Sequence, residues 1–329
     1  MQSLKKSLKA KQSLKASLRW VILGGTLFFL GATLKKHWQE VVAIRLDGAA
    51  LAILVIALGI TLLSHLWAAW VWTWLLKCLR ADSHATEGTL HPTWLIQVYL
   101  RTNLAKYLPG NVWHFYGRIR AVMGAGVGTG IALLSVVLEP LLMAAAALLI
   151  ALLGRQQGHW GWQLLSLSGV LLMIHPRCLS PVLQWAAQLK ARALGSSMVP
   201  TNPLVVHRYP LAPLLGELGF LSLRGLGFCL TLLALAPIAG QQWPIVISAF
   251  SFAWLLGLLV PGAPGGLGIF EATAIALLGQ YYSPGILIST VALYRLISVL
   301  AETLGAALAW LDSTGVLFAL RLAPPKTGS

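Results

Sequence analysis

Residues 101–120, RTNLAKYLPGNVWHFYGRIR, place basic side chains among apolar and aromatic ones in the middle of a very hydrophobic chain. Residues 108–111, LPGN, interrupt this segment, because proline removes a backbone donor and disfavours helix in the preceding residue. Glycine and asparagine, in turn, tolerate a positive φ. The segment therefore predicts two short helices that meet at a turn and re-enter the membrane, where protein or water must satisfy the irregular backbone. The alternative is a surface loop whose arginines lie at the lipid headgroups.

The composition of the whole chain is that of an integral membrane protein. Hydrophobic residues make up 57% of its 329 residues and charged residues only 10%, which excludes a soluble domain of this size. The formal net charge of +15 indicates a positive-inside bias and attraction to anionic lipid rather than to nucleic acid. The cysteines Cys78, Cys178 and Cys229 lie far apart with no CxxC pair, so we predict neither a metal site nor a disulfide framework, and no cofactor.

The hydropathy pattern predicts an all-α, polytopic membrane bundle of about eight spans, with one or two re-entrant or broken helices at Pro-Gly motifs. The predicted spans are residues 20–34, 51–76, 126–153, 162–175, 211–236, 244–260, 269–281 and 284–310. The segment 269–281 is the shortest of these, and a second half-helix is the alternative to a crossing. Lysine and arginine are concentrated in alternate loops, which predicts a plasma-membrane protein with both termini in the cytoplasm.

The same pattern divides the chain into a membrane domain and two short flanking segments. The divisions are a basic N-terminal segment at 1–19, a transmembrane domain at 20–315 with halves 20–195 and 211–315, and a short tail at 316–329. A polar connection that contains a Gly-Ser-Ser stretch and two prolines separates the halves.

Glutamates inside apolar segments indicate a polar interior. They are Glu139, Glu217, Glu271 and Glu302. An ionisable group in a bilayer costs at least about 2.5–3.5 kcal/mol on insertion scales, so such groups usually pair or line a cavity. Glu217 and Arg224 share one helix face, as do Arg295, Ser298 and Glu302. We therefore predict structural ion pairs that involve Glu217, Arg224 and Glu302.

Glu271 follows a second interruption, residues 261–268, PGAPGGLG, which no continuous helix accommodates. A carboxylate at the start of the next helix is favoured by the helix dipole. We predict that Glu271 pairs with an arginine of residues 101–120. The predicted hinge residues of the two interruptions are Pro109, Gly110, Pro264, Gly265, Gly266 and Gly268.

These motifs follow one another in a recognisable order. They are Arg101-x-Asn103, Pro109-Gly110-Asn111, Arg118, Glu139, PGGLGxxE at residues 264–271, and Arg295. The order resembles the flippase-like transmembrane family named after the membrane region of lysylphosphatidylglycerol synthase, the multiple peptide resistance factor. The resemblance covers residues 20–315, and PGGLGxxE is its most specific motif. Fewer than twenty residues follow Trp310, so we expect a stand-alone member without the synthase domain.

In the bifunctional members this region moves an aminoacylated phospholipid between leaflets. The resemblance thus implies a non-enzymatic protein that translocates an anionic or modified phospholipid or glycolipid. The implied partners are membrane lipids, not nucleic acid, together with a second copy of the chain or a lipid-modifying enzyme. Arginine binds phosphate by bidentate hydrogen bonds, and broken helices offer backbone N–H groups. The residues predicted to hold the headgroup are Arg101, Asn103, Lys106, Asn111, Arg118, Arg120, Glu139, Glu271 and Arg295.

Other functions stay open at this point. A proton- or solute-coupled transporter agrees with the intramembrane glutamates, although the basic excess favours an anionic cargo. A membrane enzyme that acts on a lipid-linked donor would use a loop acid pair such as Asp82 and Glu87, but the chain has no DxD or HExxH motif. A scaffold without transport activity is the third alternative.

Overall fold

The structure is a computed structural model. It describes residues 46–82, 90–108, 112–152, 160–175, 210–259 and 268–313, together with residues 35, 39, 177 and 266. The predictions for the basic segment 1–19, the first span 20–34, most of the polar connection and the tail 316–329 lie outside these residues. So do those for Pro109, Gly110, Asn111, Pro264 and Gly265.

Every regular element within the described ranges is helical. The helices are α1 (Gly48–Asp82), α2 (Pro92–Asn103), α3 (Trp113–Gly124), α4 (Thr129–Ala151), α5 (Trp160–Ile174), α6 (Leu211–Leu233), α7 (Trp243–Leu259), α8 (Ile269–Leu278) and α9 (Pro284–Ser313). Short 3₁₀ turns at Leu104–Tyr107 and Gly240–Gln242 follow α2 and precede α7.

Five of the described segments are long and apolar enough to cross a membrane. They are Gly48–Ala81, Thr129–Ala151, Leu211–Leu233, Gly240–Leu259 and Pro284–Ser313. The prediction of an all-α membrane bundle is therefore confirmed, whereas the count of eight spans stays a prediction. Helices α5 and α8 have 15 and 10 residues, fewer than the ~20 that a straight crossing needs.

Helices α1 and α6 make a close contact through small residues of α6. A Cβ atom on Gly216 would lie 2.7 Å from Val71 Cγ2, and one on Gly227 would lie 2.7 Å from Thr61 Oγ1. Trp67 Nε1 also donates a hydrogen bond of 2.8 Å to the Gly216 carbonyl oxygen. Glycine lets two helix backbones approach where lipid supplies no hydrophobic driving force, so these positions set the spacing of the two helices.

A cluster of aromatic rings joins α6, α7, α8 and α9. Phe228 lies 5.4 Å from Phe250 and 5.3 Å from Tyr294, centroid to centroid, and Phe270 lies 6.0 Å from Tyr294. Most of these pairs are edge-to-face or tilted, which is the favoured geometry for aromatic quadrupoles. The cluster fixes the side chains of α8 and α9 relative to α6.

Helix α2 ends at Asn103, within the segment 101–120. The 3₁₀ turn ends at Tyr107, Leu108 has an extended conformation, and a new helix begins at Trp113. The two short helices α2 and α3 contact each other, and α2 packs on α1 and α9 while α3 packs on α4. The segment is therefore held as a helical hairpin against the long helices.

The second interruption separates α7 from α8. Gly266 and Gly268 have φ values of +71° and +94°, which favour glycine. Gly266 also lies so close to α7 that a Cβ atom there would be 3.0 Å from the Gly257 carbonyl oxygen. A left-handed backbone and a close helix approach thus both require glycine at this position.

Candidate functional site

A cavity of about 930 Å³ lies between the α2–α3 hairpin, α4, α6, α9 and the end of α7. Its polar and charged lining residues are His65, Tyr99, Asn103, Lys106, Tyr107, His114, Tyr116, Arg118, Glu139, Arg224, Tyr294, Arg295, Ser298 and Glu302. Apolar side chains of α4 and α7, among them Val137 and Leu258, form much of the remaining wall. The cavity therefore combines a charged interior with apolar surface inside a membrane bundle.

Arg118 and Glu139 form a buried ion pair in this wall. Arg118 Nη1 lies 2.5 Å from Glu139 Oε2, and each side chain is only 2% exposed. The Arg118 guanidinium also lies 3.7 Å from the centroid of the Tyr99 ring and 5.7 Å from that of Trp72. Cation–π contact and the carboxylate together compensate a charge that would otherwise be costly to bury.

Glu302 of α9 is the centre of a second charged group. Its Oε1 atom accepts a hydrogen bond of 2.6 Å from Lys106 Nζ and lies 3.2 Å from His65 Nε2. Arg224 Nη1 lies 3.2 Å from the same His65 nitrogen. One carboxylate is thus surrounded by cationic or titratable groups from the 3₁₀ turn, α1 and α6.

Glu271 pairs with Arg295 of α9 rather than with an arginine of residues 101–120, so that prediction was wrong. Arg295 Nε lies 2.5 Å from Glu271 Oε1, and Arg295 Nη2 donates to the Gly266 carbonyl oxygen at 3.1 Å. The Gly268 N–H donates to the other Glu271 oxygen and caps α8. The physical reason is packing, since α8 contacts α9, and the cavity-lining cations of the hairpin already have Glu139 and Glu302 as partners.

Of the residues predicted to take part in structural ion pairs, Glu302 pairs with Lys106, whereas Glu217 and Arg224 do not contact each other in the described part of the chain. Arg224 contacts His65, while neither carboxylate oxygen of Glu217 has a hydrogen-bond partner. Glu217 interacts electrostatically with Glu139 and Arg118 instead. The two residues share a helix face, but they lie seven residues apart, about 10 Å along α6 at 1.5 Å per residue, and Arg224 contacts His65 of α1 instead.

The remaining predicted site residues divide into those at the cavity and those outside it. Asn103 is buried and lines the cavity, as do Lys106 and Arg295. Arg101 is exposed and donates from Nη2 to the Ala309 carbonyl oxygen at 2.6 Å, and Arg120 is exposed; neither lines the cavity. The structure therefore does not bring all the basic residues of the segment to one place.

Sequence reasoning missed His65, Tyr99 and His114 as residues of the site. His65 lies in the middle of the apolar helix α1. Ionisable residues inside apolar segments usually pair or line a cavity, so the position of His65 already indicated a polar site. Tyr99 and His114 lie on opposite sides of the hairpin turn, and only the folded hairpin shows that both face the cavity.

Across the described ranges, no three His, Cys, Asp or Glu side chains form a group that could hold a metal ion. The chain matches no model of a known protein family, and it matches no curated protein sequence. The class that the fold and cavity define is an all-helical membrane-spanning bundle with a charged internal cavity.

Proposed function

We propose that this protein translocates an anionic or modified phospholipid or glycolipid between membrane leaflets, with the headgroup in the cavity described above. The observation that carries the proposal is that charged residues lining the cavity have hydrogen-bond donors without an acceptor. The Nε–H groups of Arg118 and Arg224 are buried and have no hydrogen-bond partner. An anionic oxygen in the cavity would accept from these groups, and charge-assisted bonds of this kind are strong.

The charges of the lining favour an anion. Its cations are Lys106, Arg118, Arg224 and Arg295, and its carboxylates are Glu139 and Glu302. When no lipid is bound, the carboxylates compensate the cations, which lowers the free-energy cost of burying these charges. A headgroup phosphate would take the place of a carboxylate as a partner of the guanidinium, so binding exchanges one anion for another.

The apolar part of the lining favours a lipid over a water-soluble anion. Leu133 and Val137 of α4 line the cavity and are also exposed on the surface of the bundle, as are Val112 and Trp113 at the start of α3. Acyl chains would lie against such a surface at no hydrophobic cost. The resemblance of the motifs to the flippase-like family supports the same function. The lipid class that we propose as cargo is the one that this resemblance implies.

The proposed headgroup site excludes some of the residues that the motifs predicted. Of the predicted residues it keeps Asn103, Lys106, Arg118, Glu139 and Arg295, and it excludes Arg101 and Arg120, which lie outside the cavity. It also includes Arg224, whose Nε–H group has no partner. Glu271 acts through Arg295, which it holds at the cavity wall. In this proposal the hairpin re-enters the membrane and supplies two of the four cations, Lys106 and Arg118.

Reconstitution into liposomes tests this function. Vesicles would carry a fluorescent phosphatidylglycerol, and a membrane-impermeant quencher would report the fraction that reaches the outer leaflet. We expect translocation by the wild type, a loss of at least several-fold in Arg118→Gln, and wild-type rates in Arg120→Gln, the matched control on the same helix. Equal rates in both variants would remove Arg118 from the mechanism. Flux of a soluble anion with unchanged lipid distribution would favour the solute-transporter alternative.

A further inference from the structure

Two buried glutamates, Glu139 and Glu217, have carboxyl oxygens without hydrogen-bond partners. Glu217 is completely buried, and neither of its oxygens has a hydrogen-bond partner. Glu139 contacts Arg118 through Oε2, while its Oε1 atom is buried and also lacks a partner. Glu217 interacts electrostatically with both Glu139 and Arg118, so the three side chains form one charged group that connects α3, α4 and α6.

The charges of this group balance only if one of its carboxyls is protonated. Two carboxylates and one guanidinium would leave an uncompensated negative charge, and the Glu217 carboxylate would be buried with no donor to either oxygen, which is strongly unfavourable. Neighbouring carboxyls of this kind do not ionise together, and they titrate as a pair. Because Glu139 is the carboxyl that touches Arg118, the proton of the empty state resides on Glu217.

The neighbouring helices supply little that changes this balance. Tyr99 of α2 interacts with both carboxyls and with Arg118, and α5 and α7 contain no charged residue. The other charged groups of the surroundings belong to different partners. Glu302 of α9 contacts His65 of α1 and Lys106 of the 3₁₀ turn, and Arg224 of α6 contacts the same His65. Arg295 of α9 pairs with Glu271 of α8, and His114 of α3 lies one helical turn before Arg118.

We propose that Glu139 and Glu217 together hold one proton when the cavity is empty and two when an anionic headgroup contacts Arg118. One proton is therefore taken up from solution with each anion. This inference rests on the proposed function, because it requires that Arg118 binds the anion. The negative charge of a phosphodiester replaces that of Glu139 beside the guanidinium, and the proton that enters forms an O–H bond on Glu139. The group has a net charge of zero in both states.

Infrared spectroscopy of the purified full-length protein tests the empty state without any lipid. A protonated carboxyl has a C=O stretching band that a carboxylate lacks. We expect this band in the wild type at neutral pH, its loss in Glu217→Gln, and its retention in Asp312→Asn, which removes an exposed carboxyl on α9. Absence of the band from the wild type, or its survival in Glu217→Gln, would overturn the inference.

Proton uptake on lipid binding tests the second state. Dihexanoyl phosphatidylglycerol would be added to the protein in detergent with little buffer, while a dye reports pH and calorimetry reports binding. We expect the wild type to take up one proton per bound lipid, and each single variant, Glu139→Gln or Glu217→Gln, to do the same, since one carboxyl remains to be protonated. The double variant should bind the lipid without proton uptake.

The outcomes separate this inference from the function on which it rests. Lipid binding and translocation by the wild type without proton uptake would overturn the coupling and leave the proposed function standing. Uptake by the double variant equal to that of the wild type would also overturn it, because another group would then carry the proton. Absence of both lipid binding and translocation in the wild type would overturn both proposals.

Discussion

Arg118 of α3 and Glu139 of α4 are 21 residues apart in the chain and form an ion pair of 2.5 Å in which both side chains are buried. The pair joins the hairpin to a long helix of the bundle, so it is at once a structural contact and part of the cavity wall. A residue with both roles needs experiments that separate stability from transport.

The Arg118–Glu139 pair allows that separation. Loss of Arg118 leaves the Glu139 carboxylate buried without its cation, so Arg118→Gln should destabilise the protein by roughly 3–5 kcal/mol, as for other buried pairs. Glu139→Gln should cost less, because Glu217 can release its proton and compensate Arg118. The double variant Arg118→Gln/Glu139→Gln should recover much of that stability, because neither charge remains. Thermal unfolding in detergent measures the first effect, and the liposome assay should show that the recovered double variant still fails to translocate lipid. Translocation by the double variant at the wild-type rate would contradict the proposed role of Arg118.

We expect Glu302 to contribute more to the stability of the folded protein than an exposed carboxylate on the same helix. Its carboxylate contacts both Lys106 and His65, so Glu302→Gln leaves the partly buried Lys106 ammonium without its anion. We expect a clear fall in the unfolding temperature in detergent. Asp312→Asn on the same helix is the matched control, since Asp312 is exposed and accepts a hydrogen bond from the Gln97 side chain. Equal unfolding temperatures for the two variants would show that the Glu302 contacts contribute little.

Gly266 should not tolerate a side chain. Its φ of +71° costs an L-residue of the order of 1–2 kcal/mol, and a Cβ atom would also press on the Gly257 backbone. Gly266→Ala should therefore lower the unfolding temperature. Gly59→Ala in α1 should be neutral or stabilising, because open space surrounds that position and alanine favours helix. If both variants unfold at the same temperature, the turn before α8 does not constrain the fold.

The contact between α1 and α6 should show coupling between Gly216 and Val71. Gly216→Ala places a methyl group 2.7 Å from Val71 Cγ2 and should destabilise the protein by about 1–3 kcal/mol, as overpacking does elsewhere. Val71→Ala should restore part of that loss when the two changes are combined. A double-mutant cycle on unfolding free energies measures the coupling. Additive effects would mean that the helices move apart instead of pressing on this pair.

Much of the fold was predictable because hydropathy acts locally. The apolar runs that form α1, α4, α6, α7 and α9 were recognisable in the sequence, since a backbone in lipid must satisfy its own hydrogen bonds and helices do so within one segment. The interruptions around residues 108–111 and 261–268 were equally recognisable, because proline and glycine restrict or free the backbone at their own positions.

The partners of the charged residues were less predictable. Helical periodicity placed Arg295 and Glu302 on one face, and both line the cavity. The same periodicity placed Glu217 and Arg224 on one face of α6, but Arg224 contacts His65 and Glu217 has no hydrogen-bond partner. The face of a helix follows from its sequence, whereas the group opposite that face depends on which helix packs there.

The sequence by itself determined that this is an all-helical membrane protein with charged residues held within apolar segments and two interruptions at Pro-Gly motifs. Only the tertiary structure decided that Glu139 meets Arg118, that Glu271 meets Arg295, and that Glu217 is left without a hydrogen-bond partner. The physical reason is the range of the forces. Burial and backbone hydrogen bonding in lipid act residue by residue along one helix, but charge compensation in a medium of low dielectric requires contact between side chains from different helices.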